Sequence, residues 1–201
     1  MSSPEVLVLP VPGPEHGRVR LRAFGTGDLA MVLDLATDPY VPTIGSLPRD
    51  TDEAGGLAWI ARQHERARTG KGFSFCVTDR ETDEAVGAAG LTLTAREQGR
   101  ASAGYSIAPR SRGRGLAADA LVALTGFAWT RPDLHRVELY VEPWNVASLR
   151  TAEAAGYRRE GLLRGHQEIG GRRVDMALWA ALRSDGNRPG PLRGETRGTP
   201  A

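Results

Sequence analysis

The amino-acid sequence predicts a single α/β domain built on a mixed, mostly antiparallel sheet with flanking helices. Two observations carry this prediction. Residues 72–79 (GFSFCVTD), 84–94 (EAVGAAGLTLT) and 100–109 (RASAGYSIAP) read as successive strands joined by polar turns, which is typical of an antiparallel meander. A helical stretch then leads to a further strand at 135–143 (HRVELYVEP), and two strands joined through a helix in this way are expected to run parallel.

Length and composition indicate one domain. The chain has 201 residues, of which 40% are hydrophobic and 25% charged, and this suits one globular unit with a full core. Residues 1–17 are rich in Pro and Gly, and residues 184–201 offer almost nothing apolar to bury. We therefore expect a flexible N-terminal segment over 1–17, the working domain over 18–183 and a disordered tail over 184–201.

Charge and cysteine content argue against several classes of protein. The formal net charge of +2 is too small for the electrostatic field of a nucleic-acid-binding protein. Cys76 is the only cysteine, which excludes an intramolecular disulfide, and no His/Cys/Asp cluster has the spacing of a metal site. No apolar run approaches the roughly 18 residues that span a bilayer, and the N-terminus lacks a basic leader. We expect a cytoplasmic protein with no nucleic-acid or membrane partner and no metal.

The elements before the meander follow from hydrophobic spacing. Residues 18–24 (RVRLRAF) alternate as in a strand, and residues 26–37 carry apolar side chains at helical spacing. Three prolines predict a loop over residues 39–48. The next helix is expected over 51–68, because its sequence starts with acids and ends with Arg and Gly.

The elements after the meander follow from capping and turn residues. A helix is predicted to begin at Gly113, and the strand at 135–143 places Val137, Leu139 and Val141 on one side. The helix at 145–156 has Asn145 as its N-cap and Gly156 at its end. Two final strands surround the turn Gly170-Gly171.

The stretch PRSRGRGLAADAL (109–121) has the residue types of an anion-binding turn. A helix N-terminus leaves backbone N–H groups unpaired and carries partial positive charge, which favours phosphate oxygens. Gly113 and Gly115 would let a diphosphate approach the main chain, and Arg110, Arg112 and Arg114 can add charge at the rim. The same residues also suit a plain glycine turn with solvated arginines.

A dinucleotide-binding fold is the main alternative reading. Residues 113–118 (GRGLAA) match the pattern G-x-G-x-x-A, with Glu138 or Glu142 as the ribose-binding acid. Against it, the glycines follow about four other candidate strands, and only one strand–helix–strand unit is visible. A second motif, at 141–157 (VEPWNVASLRTAEAAGY), also stays unexplained by it.

Together the two motifs resemble those of the GCN5-related N-acetyltransferase (GNAT) family, and within it the type that acetylates the N-terminal amines of ribosomal proteins. The family pattern Arg/Gln-x-x-Gly-x-Gly/Ala is met by Arg110, Gly113 and Gly115, and the pattern Asn-x-x-Ser by Asn145 and Ser148. The order of elements agrees over roughly residues 18–183. The resemblance implies a GNAT-like sheet in which the two parallel strands splay apart.

The resemblance also implies a cofactor and the residues that bind it. Acetyl-CoA would be the acetyl donor, with Asn145 hydrogen-bonded to the pantetheine arm and Ser148 facing the sulfur as the catalytic residue. The pyrophosphate would lie on the amides of Arg110, Ser111, Arg112, Gly113, Arg114 and Gly115, and the pantetheine along Tyr105, Ser106 and Ile107. Asn145 as a plain helix cap and Ser148 as an exposed helix residue stay open as alternatives.

One departure from the family concerns proton transfer. Many relatives have a tyrosine as proton donor where this chain has Ala152, and we interpret Tyr157 first as a packing residue. Candidate bases for the attacking amine are Glu97, Glu138 and Glu142, each of which also reads as a solvated surface acid. Of the two histidines that could also be bases, His135 opens a strand and is interpreted as structural, and His166, in the last hairpin, has no partner that the sequence can name. Direct transfer is favoured, because the single cysteine offers no acyl-enzyme.

The function implied is transfer of acetyl from acetyl-CoA to a primary amine, first of all the N-terminal α-amine of a protein or peptide. A small-molecule amine, such as an aminoglycoside or an amino acid, is the alternative acceptor. A non-catalytic acyl-CoA-binding module is the alternative from another class. The loop from Pro39 to Pro48 and the last hairpin are expected to shape the acceptor site, and a homodimer is left open.

Overall fold

The computed structural model of the chain describes residues 6–186, in which five helices flank one eight-stranded sheet. The strands are β1 (Glu15–His16), β2 (Val19–Arg22), β3 (Gly72–Asp79), β4 (Ala85–Ala95), β5 (Arg100–Ile107), β6 (Arg136–Val141), β7 (Arg158–Ile169) and β8 (Arg172–Leu182). The helices are α1 (Leu29–Ala36), α2 (Val41–Ile44), α3 (Glu53–Arg68), α4 (Leu116–Trp129) and α5 (Val146–Ala154). No helix within the described range combines the length and the apolar character that crossing a membrane requires.

The sheet has the predicted mixed character. Its strand order is β1-β2-β3-β4-β5-β6-β8-β7, and every neighbouring pair is antiparallel except β5 and β6, which are parallel. This confirms the meander, the parallel pair and the last hairpin. A dinucleotide-binding fold needs several parallel units, so that alternative is wrong for this chain.

The parallel pair is short. Only Arg100–Ser102 of β5 pair with Arg136–Glu138 of β6. Beyond these residues β5 stays bonded to β4 as far as Ile107, and β6 stays bonded to β8 as far as Val141. The two strands therefore diverge while each is held on its outer side, and a gap opens in the middle of the sheet.

Helices cover the sheet on both faces. On one face α4 packs across β1, β2, β4 and β5, and α5 packs against α4, β6 and β7. On the other face α3 packs on β3 and α1 on β4. The main core lies under α4, where the ring of Phe127 meets the rings of Phe73 and Phe75 edge to face, at centroid distances of 4.8 and 5.3 Å.

The structure differs from the predicted elements in two places, and backbone conformation and capping explain both. Helix α4 begins at Leu116 rather than at Gly113, because Gly113 and Gly115 have left-handed φ values of 78° and 79° that a helix cannot contain. The predicted loop over 39–48 contains the short helix α2, whose start is capped by Asp38. Its Oδ1 accepts the N–H groups of Tyr40 and Val41 at 2.7 and 2.8 Å.

Part of the predicted N-terminal segment contacts the domain. Residues 1–5 lie outside the described residues, but residues 6–17 lie against the domain rather than being free of it. Leu7 is buried and donates its N–H to Ala67, and β1 adds an edge strand to β2. At the other end a 3₁₀ turn spans Arg183–Asp185, and residues 187–201 of the predicted tail lie outside the described residues.

We expect the packing under α4 to dominate stability. Leu124 is fully buried in the main core, so Leu124→Ala should lower the free energy of unfolding by about 3 kcal/mol through lost burial and a residual cavity. Leu57 on α3, which is 39% exposed, is the control, and Leu57→Ala should lower it by less than about 1 kcal/mol. Urea unfolding followed by circular dichroism measures both, and equal losses would contradict the assignment of the core.

Candidate active site

The gap between β5 and β6 forms a cleft of about 740 Å³. Its walls come from β5, the end of β6, the start of α4, the first two turns of α5 and the segment from Asp38 to Ile44. Nearly all predicted site residues line this cleft: Tyr105, Ser106, Ile107, Ser111, Arg112, Gly113, Arg114, Gly115, Asn145 and Ser148. The structure thus brings together, in one place, residues from two motifs that are about 30 positions apart in the sequence.

The strand edge inside the cleft suits an extended amide-bearing ligand. After Ser102 no described residue of β6 pairs with β5, so the stretch from Ala103 to Ile107 presents an unpaired edge to the cleft. Unpaired strand edges accept a further extended chain through main-chain hydrogen bonds. The pantetheine arm of coenzyme A contains two amides and fits such an edge.

The turn at residues 112–115, called here the glycine turn, leaves backbone amides unpaired. Within residues 6–186 the N–H groups of positions 113–117 have no protein acceptor, whereas those of Ala118 and Asp119 already bond to Gly115. A Cβ added at Gly113 or Gly115 would meet no atom within 4 Å, so the left-handed φ, and not lack of space, is what requires glycine. Adjacent free amides before a helix make a good anion site.

The three arginines near the glycine turn are paired with carboxylates of the protein. Arg112 contacts Asp38 at 2.7 Å and Arg114 contacts Asp79 at 2.8 Å. Arg110 does not line the cleft; its backbone N–H and its side chain both face Asp34, at 3.2 and 3.9 Å. Each of these arginines thus has a carboxylate partner within the protein, and their contribution of charge to a bound anion stays a prediction.

Asp38 connects the glycine turn with the segment before α2. Burial alone would raise the pKa of Asp38, but the amides of Val41 and Tyr40 and the guanidinium of Arg112 together lower that pKa below its ordinary value. The carboxylate thus stays charged and holds both partners. Arg112 in turn donates Nε–H to the carbonyl of Ile107 at 2.9 Å, at the end of β5.

Helix α5 begins at the cleft with a side-chain cap. Asn145 Oδ1 accepts the N–H of Ser148 at 3.1 Å, so the predicted N-cap is present and its side-chain amide group lines the cleft as well. Ser148 is half-buried and its hydroxyl has no described partner that meets hydrogen-bond geometry.

Near Ser148 lies a second hydroxyl that the sequence analysis assigned only to the cofactor-binding strand. The Tyr105 hydroxyl is buried and accepts or donates no hydrogen bond within the described residues. Burial raises the pKa of Tyr105, and the neighbouring hydroxyls of Ser148 and Thr151 partly offset this rise in the pKa. Tyr157, by contrast, is buried in the core, where its hydroxyl bonds to that of Thr125 at 2.7 Å, in agreement with a packing role.

The two glutamates of the strand at 135–143 are buried, so the reading of them as solvated surface acids is wrong. Glu138 is 5% exposed and Glu142 is 6% exposed. The sequence shows their alternation with Val137, Leu139 and Val141, but it does not show that the second face of this strand is covered. Glu97, in contrast, is exposed and precedes β5 at its paired end, away from the open end of the cleft.

The opposite wall of the cleft includes Tyr40, from the loop expected to shape the acceptor site, although the sequence analysis gave Tyr40 itself no role. Tyr40 packs edge to face on Trp144, with ring centroids 4.9 Å apart, and its hydroxyl donates to Glu142 at 2.7 Å. His166, for which the sequence gave no partner, stacks on Tyr140 at 5.0 Å. The sequence gives no signal for the contact of Tyr40 with Glu142, because positions 40 and 142 meet only in the folded chain.

These features define the class of protein: an α/β acyltransferase that takes its acyl group from a coenzyme A thioester. A family model described as the acetyltransferase (GNAT) domain matches residues 18–158. The chain belongs to the GNAT family, and the protein is an acetyl-CoA-dependent N-acetyltransferase.

Known relatives agree with this assignment. The chain is 28% identical over 168 residues to an uncharacterized N-acetyltransferase, p20, of Bacillus licheniformis, which covers 84% of this chain and 94% of that one. It is also 28% identical to the [ribosomal protein uS5]-alanine N-acetyltransferase of Escherichia coli, over 68% of this chain and 73% of that one. The solved structure of Mycobacterium smegmatis RimJ in complex with CoA-disulfide superposes with a TM-score of 0.71 and 26% identity, over 88% of this chain and 89% of that one.

We expect the glycine turn to be needed for coenzyme A binding. In Gly113→Val a branched side chain would stand over the unpaired amides, so calorimetry should show CoA binding at least 10-fold weaker than in the parent. The left-handed φ itself should cost about 1–3 kcal/mol of stability.

Gly171 provides the matched control for this strain. It has a φ of 77° and open space around it, like Gly113, but lies in the β7–β8 turn and not in the cleft. Gly171→Val should lower the melting temperature about as much as Gly113→Val does, and it should leave CoA affinity unchanged. Parental affinity in Gly113→Val, or equal weakening in both variants, would contradict a phosphate site at the glycine turn.

Proposed function

We propose that this enzyme acetylates the N-terminal α-amine of a protein or peptide. The observation that carries the proposal is the 28% identity to a relative whose name specifies a protein acceptor, the [ribosomal protein uS5]-alanine N-acetyltransferase. The cleft is compatible with a peptide acceptor, because it has a volume of about 740 Å³ and the Trp144 side chain on its aromatic wall is exposed to solvent.

We propose that the donor is held mainly by main-chain groups. The diphosphate would bind the free amides at 113–117, and the pantetheine amides would pair with the open edge of Tyr105–Ile107. Asn145 would donate from its side-chain amide to the pantetheine arm while Oδ1 keeps the cap on α5. When bound, acetyl-CoA supplies the activated acetyl group; the residues of the protein bind it, orient it and move protons around it.

Ser148 is proposed as the hydroxyl that stabilises the leaving sulfur. Its position at the start of α5 places it beside the unpartnered Tyr105 hydroxyl, and Ala152 offers no donor. Serine is too weak an acid to give up its proton fully, so it acts as a hydrogen-bond donor as negative charge grows on sulfur. The leaving group then takes its proton from water in the cleft.

A panel of acceptors tests the proposed substrate. With acetyl-CoA as donor, release of CoA thiol should be fastest with a short peptide that begins with Ala, and slower with spermidine, kanamycin or free alanine. Mass spectrometry should place the acetyl group on the α-amine, and the same peptide with a blocked N-terminus should give no signal. Faster transfer to spermidine or kanamycin would overturn the proposed acceptor and leave the acetyltransferase assignment intact.

Ser148→Ala tests the proposed sulfur contact. A hydrogen bond to a charged group contributes roughly 1.5–3 kcal/mol, so kcat should fall about 10- to 100-fold with little change in the KM for acetyl-CoA. Ser148→Thr keeps a hydroxyl and should recover part of the rate. A single-turnover rate that does not change in Ser148→Ala would remove this role from Ser148.

A further inference from the structure

Two tyrosine–glutamate pairs lie along the second face of β6, and both tyrosines line the cleft. The Tyr140 hydroxyl donates to Glu138 Oε2 at 2.8 Å, and the Tyr40 hydroxyl donates to Glu142 Oε2 at 2.7 Å. Both carboxylates are buried. The two pairs are nearly identical in hydrogen-bond geometry, so a difference between them has to come from charge.

The charge of Glu138 is fully balanced by the protein. Its Oε1 accepts from Arg136 Nε at 2.7 Å and from Arg100 at 3.3 Å. Burial would raise the pKa of Glu138, but the hydrogen bonds from Arg136 and Tyr140 and the charge of Arg100 hold that pKa below its ordinary value. A carboxylate stabilised in this way is a poor proton acceptor, and Glu138 is a structural group.

The charge of Glu142 has no such balance. Among the described residues no Arg, Lys or His forms an ion pair with Glu142, and its side chain accepts one hydrogen bond, from Tyr40. A buried carboxylate without a cation costs free energy unless a proton or a cationic group compensates it. Glu142 therefore differs from Glu138 in the one respect that no cationic side chain of the described residues holds it; its hydrogen-bond partner is Tyr40.

Tyr40 is fixed between this carboxylate and the cleft. Its N–H is held by Asp38, its ring packs on Trp144, and its hydroxyl lies within reach of the Asn145 side chain as well as of Glu142. The charged or titratable neighbours around it are thus Asp38 and, through Asp38, Arg112 from the glycine turn. Tyr40 lines the cleft whereas Glu142 does not, so the Tyr40 hydroxyl joins Glu142 to the cleft.

We propose that Tyr40 and Glu142 form the proton relay that receives the proton of the acceptor amine, an inference that rests on the proposed function. As the nitrogen lone pair bonds to the acyl carbon, an N–H proton moves to Tyr40 Oη while the proton of Tyr40 moves to Glu142 Oε2. The C–S bond then breaks with its electron pair on sulfur, which takes a proton from water. Tyr40 ends unchanged, and Glu142 returns its proton to water.

The relay suits an α-amine in particular. The ordinary pKa of an α-amine is about 7.7–8.0, against about 10.4 for a lysine side chain, so a large neutral fraction is present near pH 7–8. Because the amine is already neutral, the relay has to remove only one N–H proton, which becomes acidic as the nitrogen bonds to the acyl carbon. General-base assistance of this kind contributes about 10²–10⁴-fold to the rate.

The test is a double-mutant cycle with a matched control. Tyr40→Phe removes one oxygen and keeps the ring on Trp144, and Glu142→Gln keeps the shape and an acceptor for Tyr40. Each should lower kcat by about 100-fold, and the double variant should be no more than about 3-fold slower than the slower single variant, because both act in one relay. Tyr140→Phe, which removes the equivalent hydroxyl from Glu138, should stay within about 3-fold of the parent.

Two readouts besides the rate separate the relay from a structural role. Calorimetric affinity for CoA should match the parent in Tyr40→Phe and Glu142→Gln, and the melting temperature of both variants should stay above the assay temperature, so that the rates compare folded proteins. Three results would each overturn the relay: rate losses that multiply in the double variant, a loss of kcat in Tyr140→Phe equal to that in Tyr40→Phe, or weakened CoA binding in the relay variants. The cycle is run with whichever probe, the Ala-peptide or spermidine, the parent acetylates faster, so a wrong acceptor and a wrong relay give different results.

Discussion

The divergence of β5 and β6 is the constraint on which the site depends. Two adjacent parallel strands that pair over only three residues lose main-chain hydrogen bonds along the rest of their length, and this is tolerated because each strand is bonded on its outer side. The open edge of β5 is then available to a ligand, and the starts of α4 and α5 both reach the same cleft. Closing the gap would restore strand pairing and remove the binding site.

The ion pairs around the glycine turn fix its position relative to three other elements. Because the nearby arginines are paired with Asp34, Asp38 and Asp79, the turn is tied to α1, to the segment before α2 and to the end of β3. An anion in the cleft would therefore bind mainly to the unpaired backbone amides, because the arginine side chains already form ion pairs within the protein.

The parts of the fold that the sequence predicts are those set by local pattern. The meander, the helix capped by Asn145 and the Gly170-Gly171 turn each follow from residues within a few positions of one another. The parts it does not predict depend on contacts between distant segments: β1 on β2, the burial of Glu138 and Glu142, and the contact of Tyr40 with Glu142. An alternating strand shows which side chains share a face, but not whether a neighbouring element covers that face.

The donor and acceptor sides of the cleft are physically connected, and this bears on how transfer occurs. Cys76, on β3, is buried in the cluster formed with α1 and α3, and burial raises the pKa of its thiol, which makes it a poor nucleophile; direct transfer between two bound substrates therefore stays the expectation. Direct transfer requires the wall of the cleft formed by Tyr40 and Trp144 to be ordered when the donor is bound. Arg112 contacts Ile107 at the end of β5, where the donor is proposed to bind, and it also contacts Asp38. Asp38 in turn accepts the backbone N–H of Tyr40 on the opposite wall of the cleft. The same arginine that the sequence suggested as a phosphate ligand thereby fixes the geometry of the two sides relative to each other.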